Sequence, residues 1–216
     1  LRDLQALYDL AWFGFKARED YPELRRLIER GRGFSRAEIR AVHAVEREIL
    51  AAIIPLYARA AASGQIEVSA SPYAHPILPL LVDTHAAREA MPQAPLPPRF
   101  EAPEDARLQV LDGLARLEAD LGIRPRGMWP SEGSVSHEVA GLLAGCGVAW
   151  AASDEAVLAA SDREGPAEID IPWQGAGAEG LDLVFRGHDL SGRGGFTYPR
   201  MSAGGGGAGF LGPVGQ

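Results

Sequence analysis

A single cysteine, Cys146, is all the chain contains. No disulfide can form within it, and it is not built like the disulfide-stapled secreted domains. Positive charge is also scarce: 21 Lys and Arg stand against 29 Asp and Glu, for a formal net charge of -8 and an isoelectric point near 5.2. Nucleic-acid binding rests on basic patches that displace counterions, so a nucleic-acid partner is not expected. A neutral partner such as a sugar fits this balance. No run of about 18 apolar residues occurs, so no transmembrane helix and no membrane partner is expected. No leader-like segment precedes the opening "LRDLQALYDLAWFGF", which reads as a core helix, so the expected compartment is the cytoplasm. Internal repeats are missing too.

What the chain does have is length and apolar content for one sizeable core: 216 residues, 46% of them hydrophobic. Its ends are abrupt. It begins as if inside a domain, and it closes on "SAGGGGAGFLGPVGQ", residues 202–216. Glycine loses much backbone entropy on folding and offers nothing to pack, so this stretch is expected to be disordered or the product of a reading-frame error. Both ends suggest a fragment.

The first third reads as helical. Ser35 and Glu38 in "SRAE" form a capping-box pattern. Apolar residues then recur at Ile39, Val42, Ile49, Ile53, Leu56 and Tyr57, close to helical spacing, and Gly64 suits the stop. His43 in this helix reads as structural. The period changes at "QIEVSAS", residues 65–71, an alternating strand candidate. Proline-rich stretches follow at "PYAHPILPLL" and "MPQAPLPPRF", with too many prolines for helix interiors. From "PEDARLQVLDGLARLEADLG" onward, helices alternate with the strand candidates "RGMW", "VAWAAS" and "LDLVFRG". Such alternation implies a parallel sheet covered by helices. The fold class is therefore α/β, an α/β barrel or part of one preceded by a helical N-terminal part, with a doubly wound open sheet as the alternative.

In such folds functional groups collect beyond the C-terminal ends of strands. Three polar clusters follow the strand candidates: Glu67 with Ser69, Ser71, Tyr73 and His75; Trp129 with Ser131 and Glu132; and Arg186 with His188 and Asp189. Each residue alone has an ordinary structural reading. Glu132 suits the start of a helix, Glu67 a solvent-facing strand position, His75 a loop, Trp129 a core, and Arg186 with Asp189 a surface pair.

Together, "GQIEVSASPYAHPILPLL", "GMWPSEGSVS" and "VFRGHDLSGRGGFTY" resemble glycoside hydrolase family 57, the family of α-amylase-like, amylopullulanase-like, glucanotransferase and branching enzymes. The resemblance implies an incomplete (β/α)7 barrel over residues 1–201 and retaining action on α-glucans. It implies Glu132 as the nucleophile, which attacks the anomeric carbon to give a glycosyl-enzyme that water or another sugar resolves. It implies Glu67 and His75 in sugar subsites, Trp129 as an apolar wall beside the nucleophile, and Arg186 and His188 of the third motif as substrate-binding residues. The chain departs from the family in lacking its His-Gln-Pro opening and its later aspartate acid/base motif. Gly187 and Gly192 also replace aspartates of the third motif.

Two functions follow: the nucleophile-bearing part of a retaining glycosidase or transglycosidase, or a shortened barrel that holds glucan without cleaving it. A metal-dependent polysaccharide deacetylase would need a gathered His and Asp ligand set. The five histidines are scattered, and His85 near Asp83 reads as structural. No motif implies a cofactor or a metal. Open sheet edges make marginal stability the expectation.

Overall fold

A computed structural model describes residues 1–161, 168–175 and 177–214. The chain divides into two compact units, residues 1–63 and 64–216.

The first unit is helical: α1 (Arg2–Ala11), α2 (Phe15–Asp20), α3 (Pro22–Arg30) and α4 (Arg36–Ala62). The capping box at the head of α4 is formed. Ser35 Oγ accepts from the Glu38 N–H, and the Glu38 carboxylate accepts from the Ser35 N–H at 2.9 Å. Arg30 makes a forked pair with the same carboxylate, at 2.8 and 2.9 Å. The core of this unit gathers Ala6, Leu10, Phe13, Leu24, Leu27, Phe34, Ile39, Val42 and Val45. His43 is structural: its Nε2 lies 2.9 Å from Asp9 Oδ2, tying α4 to α1.

Two expectations change here. The opening helix buries Ala6 and Leu10 but leaves Leu4, Leu7, Tyr8 and Trp12 exposed. On α4, burial stops at Val45, and Ile53, Leu56 and Tyr57 face outward. Helical spacing identifies a common face, but only a neighbouring element decides whether that face is covered.

The second unit is α/β, built on a mixed five-stranded sheet. Its strands are β1 (Ser69–Ala70), β2 (Gly127–Met128), β3 (Trp150–Asp154), β4 (Trp173–Gln174) and β5 (Asp182–Arg186). Their order is β1-β2-β3-β5-β4. The first four in that order run parallel, and β4 lies antiparallel to β5. Among the described residues the order is linear, with β1 and β4 at its edges. The strand expected over residues 65–71 shortens to Ser69–Ala70. Its partner β2 lies between Pro125 and Pro130, which lack the N–H a ladder needs. β4 was not foreseen, because a two-residue strand has no readable alternation.

Helices α5 (Leu78–Val82), α6 (Ala87–Ala90) and α7 (Pro103–Leu121) connect β1 to β2; α8 (His137–Gly145) connects β2 to β3; α9 (Glu155–Ala160) follows β3. The proline-rich stretch after β1 does hold a helix, because Pro79 falls in its first turn, where a missing N–H costs nothing. α7 starts at Pro103 and ends at Gly122, whose φ of +73° is the left-handed stop. The core packs Val110 and Leu114 of α7 and Val139 and Leu143 of α8 against Met128, Ala151 and Leu181. Each such aliphatic side chain contributes roughly 1.5–3 kcal/mol on burial.

After β5 come α10 (His188–Gly192), a short π-helical stretch (Arg193–Thr197), a 3-10 turn (Tyr198–Arg200) and α11 (Ala203–Val214). Most of the tail expected to lack order is thus helical, while residues 215–216 lie outside the described residues. Tyr198 supplies the contacts that glycine cannot. Its hydroxyl donates to the Gly209 carbonyl at 2.8 Å, and its ring meets Phe210 edge-on at 6.4 Å.

Candidate active site

Because β1, β2, β3 and β5 are parallel, their C-terminal ends share one edge of the sheet. The chain leaves β1 at Ser71 and turns back through His75, whose N–H donates to the Pro72 carbonyl and whose φ is +58°. It leaves β2 at Trp129, whose N–H donates to the Ala70 carbonyl at 2.8 Å. It then makes one tight turn, Ser131–Gly133, with Glu132 at φ +59°, ψ +17°. A non-glycine residue in this left-handed region costs roughly 1–2 kcal/mol. The turn lifts the Glu132 side chain off the edge, and that side chain is 73% exposed. Its Oε1 lies 3.5 Å from His75 Nε2, close but too long for a well-formed hydrogen bond.

The next residue, Gly133, is also left-handed, at φ +68°. A Cβ there would come within 3.1 Å of the Trp129 ring, so the indole packs directly under the turn. The Arg186 guanidinium lies 5.5 Å from the centre of the same ring, a cation–π contact worth about 0.5–1 kcal/mol at exposed sites.

Arg186 is held by a group that the sequence reading passed over. Asp154 ends β3 directly beside Arg186 in the parallel register. Its Oδ2 accepts from Arg186 Nε at 3.0 Å, its Oδ1 accepts from the Ala156 N–H at 3.0 Å, and His188 Nδ1 lies 3.2 Å away. The Ala156 N–H, then His188 and Arg186, hold the Asp154 carboxyl below its ordinary value of 3.8 against an opposing push from burial. Glu155 accepts from the His188 N–H at 2.9 Å, fixing the head of α10.

Trp129, Glu132, His75, Arg186 and His188 therefore gather at one edge. Glu67 does not join them. It precedes β1, and its Oε1 accepts from Trp150 Nε1 at 2.8 Å. Trp150 pairs with the first residue of β2, so this contact sits at the opposite, N-terminal end of the strands. Arg186 and Asp189, for which a surface pair was the ordinary structural reading, do not pair with each other. Asp189 instead accepts from Arg193, four residues on, at 2.8 Å, while the register gives Arg186 to Asp154.

Two further residues, Asp154 and Ser153, shape the site beside Ser131 of the second cluster. Ser153 is fully buried, and its Oγ donates to the Gly133 carbonyl at 2.6 Å. Ser131 is equally buried, and its Oγ has no partner among the described residues. Asp154 was legible by the same rule that found the others, since it stands just past a strand. In "AASDEAV" it reads first as a helix start, and it does cap α9. Asp83 and His85 form no ligand pair: Asp83 accepts from the His85 N–H and from Arg99. Among the described residues no three His, Cys, Asp or Glu side chains gather to hold a metal ion, and no helix is long and apolar enough to cross a membrane.

This geometry can be set beside known proteins. The sheet and helices are similar to a glycoside hydrolase family 57-type branching enzyme from Pyrococcus horikoshii (TM-score 0.55, 17% identity, 91% of this chain and 34% of that one). They are similar to a branching enzyme from Thermococcus kodakaraensis solved with glucose (0.52, 18%, 91% and 35%). They are also similar to a novel α-amylase from Thermotoga maritima (0.53, 15%, 87% and 31%). The chain spans about a third of the length of each. At these identities the likeness shows the fold. No curated protein matches the chain. Residues 5–204 match the model of glycosyl hydrolase family 57, the family that the residues around Glu132, His75 and Arg186 resemble, and the chain belongs to that family.

Proposed function

We propose that this chain carries the nucleophile of a retaining glycoside hydrolase or transglycosidase acting on α-glucans, with Glu132 as that nucleophile. The observation that carries the reading is the turn at Ser131–Gly133. It spends backbone strain to raise an exposed carboxylate at the C-terminal edge of a parallel sheet, between a histidine and an indole. The family match and the α-amylase and branching-enzyme neighbours support a glucan as substrate and a barrel of the (β/α)7 kind as its frame.

In this reading a Glu132 oxygen forms a bond to the anomeric carbon as the bond to the leaving oxygen breaks. Water or a sugar hydroxyl then displaces the carboxylate with net retention. Trp129 offers an apolar wall to one sugar face. His75 and His188 offer ring nitrogens to hydroxyls, and Arg186 fixes the orientation of the indole. Glu67 acts at a distance, as a support for Trp150. Asp154 stays ionised at neutral pH, held by its N–H, histidine and arginine partners. It is therefore an anchor and not the acid that protonates the leaving group.

An activated donor isolates the nucleophile from that acid, because fluoride leaves without protonation. With α-maltosyl fluoride the chain should release a burst of about one equivalent of fluoride. Glu132→Gln should be slower by at least about 1,000-fold, some 4 kcal/mol of transition-state stabilisation. Equal rates in both forms would refute the assignment. Maltoheptaose binding without any fluoride release would favour the second reading, a glucan-holding protein. Asp154, tied in ion pairs at this edge, is the observation that favours it.

A further inference from the structure

We infer that Ser153 is a positioning residue for Glu132: its hydroxyl locks the carbonyl of Gly133 and so fixes the left-handed turn that presents the carboxylate. This rests on the assignment of Glu132 as nucleophile. Ser153 stands on β3 two residues after Ala151, on the same buried face. Both are fully buried, so packing alone is met there by a methyl group. A hydroxyl in such a place is unfavourable unless it is hydrogen-bonded. The bond that Ser153 makes does not serve its own sheet. It reaches 20 residues back, at 2.6 Å, to the carbonyl directly after Glu132.

The turn has few other restraints. Its backbone bonds are Gly133 N–H to the Pro130 carbonyl at 2.8 Å and Ser134 N–H to the Ser131 carbonyl at 3.1 Å. Both lie within the turn and hold its shape without attaching it to the sheet. Attachment comes from packing against Trp129 and the Ser153 backbone, which a Gly133 Cβ would meet at 3.1 and 3.7 Å, and from the Ser153 hydroxyl. A pair of consecutive left-handed residues persists only when its surroundings over-determine it. Among the described residues, Ser153 is the side chain that hydrogen-bonds this turn to a neighbouring strand. Loss of that bond leaves the fold and the sugar-facing side chains in place but frees the carboxylate to leave its attacking position.

Single-turnover fluoride release from α-maltosyl fluoride separates these effects. Ser153→Ala is expected to lower the limiting rate about 10- to 100-fold, the cost of a misplaced reacting group, with the half-saturating concentration unchanged. Ser153→Thr keeps the hydroxyl and should stay within about threefold of the parent, since the bonding group is retained. Ser153→Cys keeps a side-chain donor, but a larger and weaker one, and should fall between them. Should Ser153→Ala not fold, the order of the Thr and Cys forms decides. Wild-type rates in the Ala form would overturn the inference. So would Thr and Cys rates that follow melting temperature rather than hydrogen-bonding ability. Absence of Glu132-dependent release in the parent protein would instead overturn the assignment of the nucleophile.

Discussion

Glu132 and Asp154 sit at the same end of the sheet in opposite surroundings. Glu132 is lifted away from the protein by a strained backbone. Asp154 is bound on both oxygens, its carboxyl held low first by the Ala156 N–H and then by His188 and Arg186. A carboxyl depressed in the folded state stabilises the protein above its ordinary value of 3.8. That contribution fades as pH falls through the lower folded value. Asp154→Asn should therefore flatten the loss of melting temperature below about pH 4, as followed by circular dichroism. At neutral pH it should release Arg186 from Trp129 and weaken glucan binding about 2- to 5-fold, the worth of an exposed cation–π contact. Unchanged binding would mean that Arg186 keeps its place without Asp154. At this scale the sequence was informative about residue type and position along the chain. That Glu132, Trp129, His75, Arg186 and His188 would share one end of the sheet was legible from the polar clusters beyond the strands. Asp154 was legible in position but not in role, and Ser153 in neither, because those depend on which strand lies beside which. Glu67 was legible as a motif residue, but its end of the sheet was not.

Elements were legible where one residue type controls them. Ser35 and Glu38 set the start of α4, and Pro103 and Gly122 bracket α7. Elements decided by neighbours were not: the shortened β1, the antiparallel β4 and the exposed half of α4. The Glu38 carboxyl is lowered to about 2 by Arg30 and by Ser35. The cap of α4 should therefore weaken as pH falls from 4.5 toward about 2, with Glu38→Gln removing that pH dependence. Two glycines report on element packing. A Cβ on Gly113 of α7 would collide with the Ser71 carbonyl, and one on Gly127 of β2 with the Trp150 ring. Gly113→Ala should cost about 1–3 kcal/mol of stability, as overpacking does. It should also disturb the segment leading to His75. Denaturant melts check the first effect and glucan affinity the second. A neutral Gly113→Ala would show that α7 can withdraw from β1. The helix over Ala203–Val214 contains six glycines, each costing about 1 kcal/mol against alanine. Its amides should exchange early, and deletion after Arg200 should leave the melting temperature of the rest unchanged.

As a whole the described residues form two cores, one per unit, and leave many apolar side chains uncovered. Leu4, Tyr8, Trp12 and Phe15 are each more than 60% exposed. Isolated in solution, the chain should associate as its concentration rises. Trp12→Lys with Phe15→Lys should raise the concentration at which elution volume begins to fall, and no shift would mean that these side chains are not the contact. Composition had indicated an acidic protein with one sizeable core, and the described residues form two. It carries no information on which faces are covered. The central claim concerns a single oxygen atom of Glu132, and the most direct test is to trap it. Incubation with 5-fluoro-α-maltosyl fluoride, followed by peptide mass spectrometry, should find one glycosyl group on the peptide that contains Glu132 and none in Glu132→Gln. A label on another carboxylate, or an unlabelled wild-type chain that still binds maltoheptaose, would contradict the account.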